Sequence, residues 1–146
     1  MPNSSIPDKS FFQICVIVDD LTHYAENYRS ILGFDVPTDV QTTHTFDHTQ
    51  AIYYGKPMNA RAKIVSFMMG NVAFELLQPL EDGSVWMDHL KEHGVGIHHV
   101  AFNVPRIAPA AAFFADHGYQ VTQQGLFTGR HGSYAYLDTE KDLGIT

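Results

Sequence analysis

Three side chains in this sequence, Gln13, Glu75 and His99, offer an amide oxygen, a carboxylate and an imidazole. Donors of these types together suit a divalent metal of hard or intermediate character, with water completing its shell. None is distinctive alone. A Gln at the start of a strand reads as a polar edge residue, a Glu in an apolar strand as a partner for Arg61 or Lys63, and a His as a hydrogen-bonded core residue. A repeat links two of them. Phe11-Phe12-Gln13-Ile14-Cys15-Val16-Ile17-Val18 returns as Ile97-His98-His99-Val100-Ala101-Phe102-Asn103-Val104, with Gln13 over His99. The same interval of 86 residues (99 − 13) sets Val18 over Val104 and Leu21 over Ile107. Equivalent positions in two copies of one unit point to a site built between two halves.

Strand alternation gives these residues a direction. Gln13, Cys15 and Ile17 share one face of the first strand, and His99, Ala101 and Asn103 one face of its copy. The opposite faces, Ile14-Val16-Val18 and Val100-Phe102-Val104, are wholly apolar and suit the helix that follows each strand. Gln13 and His99 then point away from the helices into a common hollow, with His98 on the helix side. Glu75 shares a strand face with Ala73 and Leu77, and a buried carboxylate is costly unless paired or bound to a cation.

The elements that must hold them are readable in outline. Residues 11–18 form a buried strand. Asp19 and Asp20 offer an N-cap to a helix with apolar residues at Leu21, Tyr24, Ala25, Tyr28, Ile31 and Leu32, which Gly33 stops. Residues 34–60 predict an irregular connection with a short strand at 51–54. Apolar runs 63–69 and 72–77 flank Gly70-Asn71 and predict a hairpin. Ser84 caps a short helix that runs to His93. The second half repeats the order: a strand at 97–104, a helix near 108–117, strands near 120–124 and 133–137, a polar turn at 138–143, and the beginning of a last strand at Ile145-Thr146.

The bulk properties exclude several classes. At 146 residues and 45% apolar content the chain is one globular domain, or two small modules sharing a core. A formal charge of −7 and scattered Lys and Arg argue against nucleic-acid binding. Cys15 is the sole cysteine, so no intramolecular disulfide forms. Met1–Ser5 lacks the features of a signal peptide and no apolar run approaches a membrane span, which predicts a soluble cytoplasmic protein.

Gly96-Ile97-His98-His99-Val100-Ala101-Phe102, Phe74-Glu75-Leu76-Leu77-Gln78-Pro79-Leu80 and Ala135-Tyr136-Leu137-Asp138 through Gly144 resemble the vicinal oxygen chelate superfamily, also called glyoxalase/bleomycin-resistance/dioxygenase. The resemblance runs from about Phe11 to the C-terminus, and its motifs look most like methylmalonyl-CoA epimerases. Gln13, where epimerases usually carry His, looks more like some lactoylglutathione lyases. The resemblance implies an α+β fold: two βαβββ modules, about 8–80 and 95–146, forming curved mixed sheets around a central cleft with helices on the outer face. It implies a divalent metal (Zn, Ni, Co, Mn or Mg) on Gln13, Glu75 and His99. It also implies a further Glu about two residues beyond Thr146, where the last strand of module two is cut short. Uncovered sheet edges and the habit of the family imply a homodimer.

The chemistry implied is a metal-dependent isomerase, epimerase or lyase that abstracts a proton next to a metal-bound carbonyl or thioester. His44 and His48 are candidate bases, against a plain surface role. Arg130 and His131, between Gly129 and Gly132, could close over an anionic substrate, against a plain turn. His23, His89, His93 and His117 read as solvated helix residues. Two rival classes remain open: an Fe(II) extradiol-type dioxygenase, against which Gln13 in place of a His counts, and a non-catalytic bleomycin-resistance-like binding protein.

Overall fold

The computed structural model describes residues 10–129 and 131–146. The N-terminal segment and Arg130 lie outside the described residues. The element order is β1 (Ser10–Ile17), α1 (Leu21–Ser30), β2 (Gln41–Thr42), α2 (Phe46–Thr49), β3 (Ile52–Tyr53), β4 (Lys56–Pro57), β5 (Ala62–Met69), β6 (Val72–Pro79), α3 (Val85–His93), β7 (Gly96–Asn103), α4 (Ile107–Asp116), β8 (Val121–Leu126), β9 (Ser133–Leu137) and α5 (Glu140–Leu143). Local chemistry sets several of the boundaries. The Asp20 carboxylate accepts from the His23 N–H at 3.1 Å and the Ser84 hydroxyl from the Met87 N–H at 3.1 Å, so both predicted caps form. Gly33 (φ 72°) follows α1, and Gly70 (φ 59°) turns the β5–β6 hairpin, in the left-handed region where a side chain is strained.

The strands of this α+β fold form two sheets, one mixed and one antiparallel, rather than one sheet per module. One sheet has the order β2-β5-β6-β1-β7 and the other β4-β3-β8-β9. β1 pairs in parallel with β6 and antiparallel with β7, the first strand of the second half. Each sheet therefore contains strands of both halves, and the site lies where β6, β1 and β7 run side by side.

The apolar face of β1 carries α1, as predicted. Ile14 and Val16 pack with Val18, Leu21, Ala25, Phe67, Phe74 and Leu76. On the other face Cys15, Ile17 and Leu77 meet Trp86 of α3, Met58 and, from β9, Tyr134 and Tyr136. Burial of this kind contributes about 25 cal/mol per Å² of apolar surface. α1 and α4 begin at the aligned residues Leu21 and Ile107 and have equal length, 10 residues each. Their packing differs. α1 lies on β5 and β6, whereas α4 contacts β9 and buries none of its residues. The expected burial of the α4 stripe on β7 does not occur; the free side of β7 is met by Thr146, through Val100 N–H to Thr146 O at 3.1 Å and Thr146 N–H to His98 O at 3.3 Å. Ala110, Ala111 and Phe114 instead line a cavity.

Candidate metal centre

Cross-strand register assembles the site. Cys15 on β1 is the direct neighbour of Glu75 on β6 and of His99 on β7, and Gln13 lies one step along the same face. The ligating atoms of Cys15, Glu75 and His99 all lie within 4.8 Å of one another. The Gln13 amide N–H donates to Glu75 Oε2 at 3.3 Å. The three predicted residues are thus brought together, and a fourth, Cys15, sits between two of them. No residue type announced it, since a lone apolar-flanked Cys reads as core. Only the pairing of three strands gives it this place.

The expected partners of Glu75 are elsewhere. Arg61 pairs with Glu81, and Lys63 stands opposite Gln78. Burial pushes the Glu75 carboxyl up to about 7, against the pull of hydrogen bonds from the Cys15 thiol and the Gln13 amide. Burial, then the Glu75 charge, raises the thiol well above its ordinary value. Low dielectric here disfavours every charge that lacks a counter-charge, and the group keeps its proton instead.

His98 does not face the helix side alone as alternation predicts. The β1–β7 register shifts between Cys15↔His99 and Val16↔Ile97, so His98 is the extra residue of a bulge. Both rings are buried, and His98 Nδ1 lies 2.9 Å from His99 Nδ1, so one ring donates and the other accepts. Burial lowers His99 to about 3, with His89 adding to the effect, and lowers His98 to about 2. Both are neutral imidazoles at neutral pH, which is the ligating form. The second register shift in the pair leaves out Phe12, which the 86-residue interval (98 − 12) aligns with His98. The repeat extends to its irregularities.

A cavity of about 610 Å³ opens over the site. Gln13, Glu75, His99 and Trp86 are in its wall, and so are His44 and His131, both exposed. His48 is not among the lining residues, although its ring centroid is 5.0 Å from that of His44. Arg130 is outside the described residues. Tyr136 is a second residue that the sequence did not single out. Its ring centroid is 4.7 Å from that of His99, and its hydroxyl accepts from Trp86 Nε1 at 3.1 Å. Burial keeps this phenol protonated, well above its ordinary range.

Thr146 stands beside His99 as Ala73 stands beside Gln13. A thiol, a carboxylate and a neutral imidazole whose ligating atoms lie within 4.8 Å of one another, with an amide beside them, fit a divalent transition metal in donor type.

The family model described as the Glyoxalase/Bleomycin resistance protein/Dioxygenase superfamily matches residues 12–137. No curated protein matches the chain in sequence. Among solved structures, methylmalonyl-CoA epimerase from Mycobacterium tuberculosis is similar over 92% of this chain and 82% of that one, with TM-score 0.63 and 17% identity. A methylmalonyl-CoA epimerase in complex with methylmalonyl-CoA and NH4+ is similar over 92% of this chain and 88% of that one, with TM-score 0.59 and 20% identity. A hypothetical protein from Bacillus halodurans C-125 is similar over 89% of this chain and 94% of that one, with TM-score 0.58 and 18% identity. At these identities the likeness is one of fold.

Proposed function

Because the chain belongs to the glyoxalase/bleomycin-resistance/dioxygenase superfamily, we propose that it is a metal-dependent isomerase or epimerase, or a lyase, that removes a proton next to the carbonyl of a thioester or ketone. The observation that carries this reading is the meeting of Glu75 and His99 at one buried wall of a cavity of about 610 Å³. Glu75, His99 and Gln13 would hold the metal, and Cys15 would join them as a sulfur donor. A divalent ion there would supply Lewis acidity toward a substrate carbonyl oxygen and make the neighbouring proton more acidic.

The chain's own residues do the rest. Gln13 turns one oxygen of Glu75 by donating to it, and burial keeps His99 neutral with an acceptor nitrogen. Trp86 and Tyr136, tied by their hydrogen bond, close the floor against water, which strengthens electrostatic contacts inside. His44 is the better base candidate of the pair with His48, because it lines the cavity. His131, in the cavity wall, would meet the anionic end of a substrate. The set offers one imidazole where extradiol-type iron sites use two, which favours proton transfer over dioxygen chemistry.

The epimerase neighbours, one of them holding methylmalonyl-CoA, suggest acyl-CoA thioesters as the first substrates to try. The test is deuterium exchange at the α-carbon of methylmalonyl-CoA in D2O, followed by proton NMR. Exchange with one equivalent of Co, Ni, Mn or Zn, absent after chelation and in Glu75→Gln, is expected. Metal bound without exchange across a panel of thioesters and 2-oxo compounds overturns the catalytic reading in favour of a binding protein. We further infer a homodimer, supported by the exposed neighbours Phe11 and Phe102 on β1 and β7, whose ring centroids are 5.9 Å apart. A monomeric mass by light scattering would reject it.

A further inference from the structure

We propose that His89, His93 and Glu140 form a second metal site, for a borderline transition-metal ion such as Zn2+, separate from the centre on β1, β6 and β7. Sequence pattern made His89 and His93 solvated helix residues. His93 is exposed as expected, whereas His89 is half-buried with its Nε2 shielded from solvent. They are four residues apart on α3, one turn, and their ring centroids are 4.9 Å apart. Two His at that interval on one helix face are a bidentate pair for Zn2+. His93 Nε2 lies 2.9 Å from Glu140 Oε1, the first residue of α5, so a carboxylate is already against the pair.

Two further observations point to a cation rather than to a plain ion pair. His89 Nε2 is buried and has no hydrogen-bond partner, the sole such side-chain atom among the described residues. An orphaned buried nitrogen is costly, and a metal ion would satisfy it. Burial, then the neighbouring His93, lowers the pKa of His89 and so favours the neutral, ligating ring. Second, these three side chains line a separate cavity of about 610 Å³ in which other carboxylates are engaged. Asp88 accepts from the Tyr53 hydroxyl, Asp142 from the Tyr119 hydroxyl and Asp138 from the Gln120 N–H. Glu92 also lines the cavity, 3.9 Å from His93 Nε2, so Glu140, at 2.9 Å, is the nearer carboxylate to the two imidazoles.

The three donors are looser here than those of Cys15, Glu75 and His99. Tetrahedral zinc places ligand atoms roughly 3.3 Å apart. The His93–Glu140 contact is close to that edge, and binding requires rotation of His89 toward it. His98 contacts His89, ring to ring at 5.0 Å, and forms the wall between this site and His99.

The test uses the metal-free full chain and Zn2+, with calorimetry for stoichiometry and a chelating dye for affinity. In the Glu75→Gln/His99→Gln background, which disables the first centre, one equivalent of Zn2+ should still bind. Adding His89→Ala and His93→Ala should weaken that binding by at least about a hundredfold. His23→Ala on α1 should leave it unchanged. Ring 15N shifts in the unsubstituted protein give a readout free of variant folding. Zn2+ should move both His89 and His93. If only His99 moves, or if the His89→Ala/His93→Ala protein binds Zn2+ as before, the second site is refuted. If His99→Gln leaves one full equivalent bound while the unsubstituted protein binds no more, the first centre fails and the second stands.

Discussion

Glu75 makes metal-free stability depend on pH in a direction that few carboxylates share. Its folded pKa of about 7 lies above its ordinary 4.5, so the native state holds a proton that the unfolded chain has released. Between those values the unfolded state binds fewer protons, and stability falls as pH rises by about 1.4 kcal/mol per unit. Integrated from pH 5 to pH 8 the loss is about 2.5 kcal/mol. His98 and His99 act oppositely. Their folded values, about 2 and about 3, lie below the ordinary 6.5, so their contribution is lost as pH falls below that value. The two effects overlap near pH 5–6.5, and a single stability curve would blur them. Glu75→Gln removes the carboxylate and leaves the histidines, so the difference between the two proteins isolates the term. Urea unfolding in the presence of a chelator should show the variant gaining on the unsubstituted protein by about 2.5 kcal/mol from pH 5 to pH 8. In the His89→Ala/His93→Ala background, which removes the second site, a hundredfold excess of Zn2+ over its Kd should then add about 2.7 kcal/mol where Glu75 is kept and little where Glu75→Gln is added. A pH-independent difference between the two would refute the buried, proton-holding carboxylate, and with it the electrostatic ground for a cation at this wall.

Four more outcomes follow from the geometry. Gln13→Ala removes a donor from Glu75 and should move its pKa further up, read by carbon-13 NMR of the labelled carboxyl. Cys15→Ala should abolish the near-ultraviolet thiolate-to-metal band of the cobalt form while cobalt still binds, and a cobalt form with no such band in the unsubstituted protein removes Cys15 from the ligand set. His44→Ala should slow α-proton exchange at saturating metal at least tenfold while His48→Ala does not, and equal rates in the two would return His44 to a surface role. Gln123→Ala strips the buried acceptor of the Val85 N–H, which lies at 3.0 Å, and should cost about 2–4 kcal/mol in unfolding experiments.

Much of the frame was legible because it is periodic. The interval between Gln13 and His99 reproduces the starts of α1 and α4, and the alternation of Ile14, Val16 and Val18 with Gln13, Cys15 and Ile17 gives both faces of β1. The caps Asp20 and Ser84 were legible because side-chain oxygens before apolar runs have few other uses. Hidden from the sequence were the properties of pairs. A bulge belongs to two strands at once, so alternation within β7 alone could not turn His98 toward His99. The histidines of α3 seemed solvent-facing from helix position, yet what they meet is set by α5 and β7, far along the chain. The short α2 follows no strong pattern, and the half-buried stripe of α4 meets β9 rather than the strand that precedes it.

Register also decides how the site departs from twofold symmetry. The axis that relates β1 to β7 passes between Ile14 and Val100, which are direct partners. A symmetric pair of strands would present equal side chains on either side of it. Here one side offers the amide of Gln13 and the other the imidazole of His99, and Cys15 stands where the second strand carries Ala101. The softer donors, sulfur and imidazole nitrogen, therefore meet across one β1–β7 pair, with Glu75 on the third strand facing both. Hard ions such as Mg2+ favour all-oxygen shells, whereas zinc, cobalt and iron accept sulfur and nitrogen. A single position two residues past Gln13, Cys15, would thus shift the preference of a metal at this wall toward thiophilic ions.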